Sequence, residues 1–181
     1  MNLFYLDTRP ERCATLHCDK HVVKMIIEYA QLMSTAHRML DGIEYQDKTK
    51  LGRKIRRWKH PNNNMDGVLY KASHINHPTA VWARGSYGNY RYLYDLFCAL
   101  CDEYTYRYGK VHMTDSKLRQ LLEAVPMNIP DRRFYAPPRA MPDDCKKYTK
   151  NVIQAYHKYY RLYKKDFAKW TNRPVPSFMR A

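Results

Sequence analysis

No segment of the 181 residues approaches the roughly 20 consecutive apolar residues of a membrane span. Nor does the chain open with a secretory signal, because Asp7, Arg9 and Glu11 interrupt any apolar run. These absences lead to the expectation of an intracellular protein without membrane contact. Acids are scarce: 17 Asp and Glu stand against 32 Lys and Arg, a net charge of +15. The cysteines, Cys13, Cys18, Cys98, Cys101 and Cys145, are odd in number and read as reduced thiols. There is no GxGxxG or Walker-type phosphate loop, and no nucleophile elbow for Ser-His-Asp chemistry. Without an internal repeat or a second core, residues 1–181 read as one domain.

What is present points to a partner. A field of +15 attracts polyanions and speeds encounter with them. The expected partner is therefore a nucleic acid, DNA or RNA; no protein partner and no cofactor is implied. The mean hydropathy of −0.74 does not signal disorder, because 45% of residues are hydrophobic and 17 are Tyr.

The pattern along the chain predicts an all-α fold, one compact domain of about four helices with a long basic loop. Asn2 to Leu6 is a short strand or a packed arm. Thr8 and Pro10 start a helix running from about Glu11 to Leu40, stopped by Asp41-Gly42. Residues 41–78 read as an irregular basic loop containing KTKLGRKIRRWKH. A second helix spans Thr79 to Tyr108, its regular part delayed to about Tyr87 by Gly85 and Gly88 and ended by Gly109. A third runs from Thr114 or Asp115 to about Ala124. Residues 125–142 form a proline-rich connection, and Asp143 to Trp170 a last long helix.

On a helical wheel the first helix has two faces. Cys18, Val22, Met25, Tyr29, Leu32, Met33 and Ala36 make the apolar one. His17, His21, Lys24, Glu28, Gln31 and Thr35 form a polar stripe at its edge. A solvated face with a Lys24–Glu28 pair would explain the stripe. So would a catalytic cleft, which needs partly buried ionisable groups in one line. His74-Ile-Asn-His77-Pro78 with Trp82 is a helix-start turn or a phosphate grip with a stacking indole. Arg107, Lys110 and His112 cluster at a helix C-terminus, where they complement the dipole or contact phosphate. Tyr156, Tyr159, Tyr160 and Tyr163 are a core stripe or an aromatic-basic surface. A zinc site from His17, Cys18, His21, Cys98 and Cys101 is disfavoured, because Cys18 faces away from the histidines and the Cys98–Cys101 pair sits mid-helix. No metal is expected.

His21…Glu28, His77-Pro78…Trp82, Glu103…Arg107-Tyr-Gly109…His112 and Tyr156-His-Lys-Tyr-Tyr160 together resemble a known family. It is that of the small pyrimidine-dimer DNA glycosylases with AP-lyase activity, of the phage endonuclease V type. The resemblance implies a mostly helical fold, a DNA substrate, and attack of an N-terminal α-amine on the sugar C1′. Glu28 matches the family's essential glutamate. An α-amine, with a pKa of about 8 against about 10.4 for lysine, is partly free at neutral pH. The chain departs from the family in beginning Met1-Asn2, in a longer stretch before His21, and in its extra basic loop. The family amine is exposed by methionine removal; here it would be that of Met1 itself, or Lys24 would replace it. The resulting candidates are Glu28, His21, Met1 and Lys24 for catalysis. Those for nucleic-acid binding are Arg53, Lys54, Arg56, Arg57, His77, Trp82, Arg107, Lys110, His112 and Tyr160. A non-catalytic nucleic-acid-binding protein and an enzyme acting on modified bases are the alternatives.

Overall fold

The chain starts as an arm rather than a strand. In the computed structural model, which describes residues 1–180, Leu3, Phe4, Tyr5 and Leu6 are all buried against the helices. Four consecutive apolar side chains suit neither an amphipathic helix nor a two-faced strand. Enclosed on all sides by helices, they need neither.

The mainly helical expectation holds, but the long helices are divided. The first is broken at His17-Cys18 into α1 (Pro10–Leu16) and α2 (Asp19–Asp41), with both junction residues extended. The break is fixed from outside. Arg107 donates to the carbonyls of Thr15 (3.0 Å) and His17 (3.0 Å), acceptors that the end of α1 leaves free. It also pairs with Asp19 (2.8 Å) and Glu103 (2.7 Å). Arg107 is therefore an internal strut; its side chain is fully buried and not free to meet a phosphate, which corrects its assignment as a nucleic-acid contact.

The basic segment after α2 is ordered, against the expectation of an irregular loop. Strands β1 (Ile43–Lys48) and β2 (Lys54–Lys59) form an antiparallel hairpin pairing Ile43 with Lys59 and Lys48 with Lys54. Gly52 at its tip takes a positive φ of 75°. Most hairpin side chains are exposed and only Trp58 is buried, so the period-two hydrophobic signal of a strand is almost absent. A buried Arg38 anchors the hairpin's base. It donates to Trp58 O (2.8 Å), to Tyr70 O (2.8 Å), and to Asp66 Oδ1 at the start of α3 (Asn63–Val68).

Next come α4 (Pro78–Ala83) and α5 (Tyr87–Tyr108), the latter ended by Gly109 in the left-handed region (φ 65°) as its position predicts. Helix α6 spans Met113–Glu123. The proline-rich connection lies along the start of α5: Tyr87 N donates to Pro130 O and Gly88 N to Arg132 O. A Cβ on Gly88 would collide with the backbone of Arg133 and Phe134, so this close approach requires glycine. The last helix is also shorter than expected. It is α7 (Asp143–Lys146), a break containing Tyr148 at φ 60°, then α8 (Val152–Tyr163) capped by Asn151. The tail returns to α2, where Thr171 binds Asp19, and to α5, where Arg173 binds Glu103.

Removing Arg107 leaves Glu103 with Arg173 as its remaining partner and leaves helix carbonyls without donors. Arg107→Met should cost about 3–5 kcal/mol in urea unfolding, the scale of breaking a buried pair. The exposed Lys110→Ala should stay within about 0.5 kcal/mol. A mild Arg107 variant that selectively weakened DNA binding would contradict the strut.

Candidate nucleic-acid-processing site

The arm and the first turns of α2 meet in a cleft of about 280 Å³. Its walls include Asn2, His21, Lys24 and Glu28, with Tyr159 and Lys164 opposite. Glu28 is central and only 14% exposed. Its Oε2 accepts the backbone N–H of Asn2 at 3.0 Å, and its Oε1 lies 3.3 Å from Lys24 Nζ. Asn2 holds the arm in place: its Oδ1 accepts from Tyr156 Oη (2.9 Å) and its Nδ2 donates to Ala140 O (2.8 Å). A polar residue inside an otherwise apolar NLFYL run was the overlooked sign that this position has a partner.

His21 is buried beneath the cleft. Its ring stacks on Phe4 at 4.1 Å between centroids, and its Nδ1 shares a 2.6 Å hydrogen bond with Tyr160 Oη. Burial first, then the positive charges of Lys164 and Lys24 among its neighbours, pull its pKa down to about 3. It is a neutral group at pH 7 and not an acid held in reserve. His17 leaves the predicted stripe, because the helix break turns it inward. It is buried between Cys13 O and Tyr29 Oη, and burial holds its pKa at about 4. Thr35 is buried too. The stripe is therefore cleft-lining from His21 to Glu28 and core at its two ends.

His77 caps α4, its Nδ1 accepting from Thr79 N (3.2 Å). Its pKa is lowered, chiefly by burial and then by the positive charge of the N-terminal amine, with Glu28 opposing. The start of α4 and the start of the chain thus share one electrostatic neighbourhood. Met1 joins the two, its Sδ receiving the Ser73 hydroxyl at 3.9 Å.

Several expected surface contacts lie inside. Trp82 is buried and donates to Tyr135 O (2.8 Å), so it offers no face to a base. Tyr160 and Tyr156 are core, while Tyr159 reaches the cleft with Lys164 poised over its ring. His112 caps α6 through Thr114 N. Arg53, Lys54 and Lys110 are exposed; Arg56 is paired with Glu44 and lies over Trp58, and Arg57 is half-buried.

A buried-carboxylate cleft at the chain start, on a strongly basic helical body, agrees with one comparison. A family model described as pyrimidine dimer DNA glycosylase matches residues 1–117. The chain belongs to the pyrimidine dimer DNA glycosylase family. No curated protein and no solved structure matches it. Membership makes DNA the partner and DNA repair of the glycosylase type the function. Of the cleft of this glycosylase, the matched segment contains Asn2, His21, Lys24 and Glu28; Tyr159 and Lys164 lie beyond it. Among the described residues no helix is long and apolar enough to cross a membrane.

Three histidines, His17, His21 and His37, have folded-state pKa values of about 4, 3 and 4, below the ordinary 6.5. The unfolded chain binds their protons first, so stability is complete above pH 6.5 and falls as pH drops toward 4. Each contributes a slope of up to about 1.4 kcal/mol per pH unit. Urea unfolding between pH 7 and 4.5 should show this slope, and His21→Asn should flatten it by one proton. An unchanged slope would mean that His21 titrates normally.

Proposed function

We propose that this protein is a DNA glycosylase with coupled AP-lyase activity, working through an amine at the start of the chain with Glu28 as its carboxylate. The observation that carries this reading is the 3.0 Å contact between Asn2 N and Glu28 Oε2. It brings the first peptide nitrogen, and with it the N-terminal amine one residue away, to a shielded acid inside a cleft. A protein that only bound DNA would gain nothing from such an acid near phosphates.

The chemistry follows from the groups present. The amine attacks C1′ of a sugar extruded from the stack, and the N-glycosidic bond breaks with its electrons leaving on the base. Glu28 stabilises the positive charge that develops at C1′ and accepts a proton from the amine. The C1′–O4′ bond then opens, with the proton returned from Glu28 to O4′, and leaves a Schiff base at C1′; loss of a C2′ proton from it expels the 3′ phosphate. Lys24 is the weaker candidate, because its Nζ is engaged by Glu28 at 3.3 Å and stands on a largely exposed side chain. If Met1 is cleaved, the nitrogen held by Glu28 is itself the amine. Neutral His21, locked by Phe4 and Tyr160, shapes the floor. Arg53 and Lys54 on the hairpin extend the contact along the backbone.

Borohydride trapping on DNA containing an abasic site should yield a covalent adduct. Peptide mapping should place it at the N-terminus and not at Lys24. Glu28→Gln should lower the rate by about 10²–10³, the loss of one electrostatic stabiliser, while folding and DNA affinity barely change. Full activity of Glu28→Gln would sink this mechanism.

The hairpin makes a separate prediction. Each phosphate contact contributes about −0.9 to the slope of log K against log salt on duplex DNA. Replacing Arg53 and Lys54 by Ala should reduce that slope by up to about 1.8 and weaken all sequences alike. An identical slope would remove the hairpin from the interface.

A further inference from the structure

Away from the cleft, three ligand-bearing side chains converge where the hairpin joins the body. His37 and Asp41 stand one turn apart on α2, and His60 follows the end of β2. One ligand atom from each lies within 4.8 Å of the others. The two rings are almost fully enclosed, His37 at 1% and His60 at 5% exposure. Yet His37 Nδ1 and His60 Nε2 are both buried without a hydrogen-bond partner. Buried polar atoms are normally satisfied, so two orphans within one cluster that also holds a carboxylate demand a cause.

The surroundings orient His37 and Asp41 as ligands. His37 Nε2 lies 3.0 Å from Ala124 O, which can only accept, so the proton sits on Nε2 and Nδ1 presents its lone pair. Tyr90 Oη, 2.9 Å from the same nitrogen, adds a second support. A metal-binding imidazole is typically held in this way, by its other nitrogen on a backbone carbonyl. Asp41 is fixed by the backbone N–H groups of Met127 (2.9 Å) and Asn128 (3.0 Å), and its Oδ2 keeps a lone pair free. His60 Nδ1 accepts from Asn62 N at 3.2 Å, the longest of these contacts. Binding through Nε2 moves the ring proton to Nδ1 and gives up that contact.

We propose that His37 Nδ1, His60 Nε2 and the Asp41 carboxylate hold one divalent ion of the zinc class, with water in the fourth position. Two imidazoles and one carboxylate match zinc's preference for nitrogen and oxygen donors. The half-buried position of Asp41 admits the water. With bonds of about 2.0–2.2 Å, small side-chain rotations draw the three donors together. The ion would fasten the hairpin to α2 and to the residue 124–128 connection, so its role is structural.

The test uses the full chain without an affinity tag, stripped with a chelator and then titrated with zinc. One equivalent should bind, raise the melting temperature by several degrees, and slow hydrogen exchange of the amides in 43–59. Cobalt in place of zinc should give the visible bands of a four-coordinate site. Asp41→Asn and His60→Ala should each abolish the stoichiometric binding and the thermal shift. If His60→Ala does not fold, the half-exposed Asp41→Asn carries the comparison, with circular dichroism confirming its fold. Absence of stoichiometric zinc from the wild-type protein overturns the proposal. So does binding that survives Asp41→Asn, which would place the ion elsewhere.

Discussion

The guanidinium of Arg107 is the contact on which the geometry of this protein turns. A helix that stops inside a protein leaves carbonyls unpaired. Arg107 reaches from the last turn of α5 to two of them at the end of α1, and from there to Asp19 at the start of α2. One side chain thereby sets the angle among three helices. Its charge is not isolated: Glu103 lies between Arg107 and Arg173, and Asp19 also receives Thr171. Two acids facing two arginines make the burial tolerable, where a single buried charge would not be. The direction of α2 follows, and α2 carries His21, Lys24 and Glu28.

The cleft sets one carboxylate, Glu28, among the positive groups Lys24 and Lys164. On a molecule of net charge +15, an acid near the DNA surface would repel phosphate if it were exposed. Glu28 is instead withdrawn and held by one amide and one ammonium. A site stocked with protonated histidines would compete with Lys24 for that carboxylate. His21 does not compete, because its burial keeps it uncharged. The two oxygens of Glu28 are thereby left to the Asn2 amide and to Lys24.

The mainly helical class, the apolar face of α2, the Gly109 stop and the late start of α5 were all legible in the sequence, because each rests on local rules. The polar stripe was legible only in its middle. His17 and Thr35 obey the same wheel, but the break at His17-Cys18 is imposed by Arg107, ninety positions along, and no local pattern records it. The hairpin escaped notice because its strands bury almost nothing but Trp58. Trp82 and Tyr160 looked like contact residues because aromatic and basic residues alternate around them. Whether such a ring faces solvent or core depends on partners elsewhere, Tyr135 O and His21 in these cases. Asn2 was invisible for a similar reason, since its partners Tyr156 and Ala140 lie far along the chain.

That last separation bears on how the site is assembled. The family match ends at residue 117, within α6, and contains Glu28 together with the arm. The groups that grip Asn2 come from residues 140 and 156, and Tyr160, which steadies His21, follows in α8. The carboxylate of the cleft and the groups that position the arm against it therefore reside in different parts of the chain. An arm of six residues has no hydrogen-bonded secondary structure to stiffen it, so its entropy must be offset by side-chain contacts at both ends. Leu3 to Leu6 provide burial at one end and Asn2 provides directional bonds at the other. The C-terminal third acts as the clamp that keeps the first nitrogen at Glu28, and so it belongs to the cleft as fully as the matched segment does.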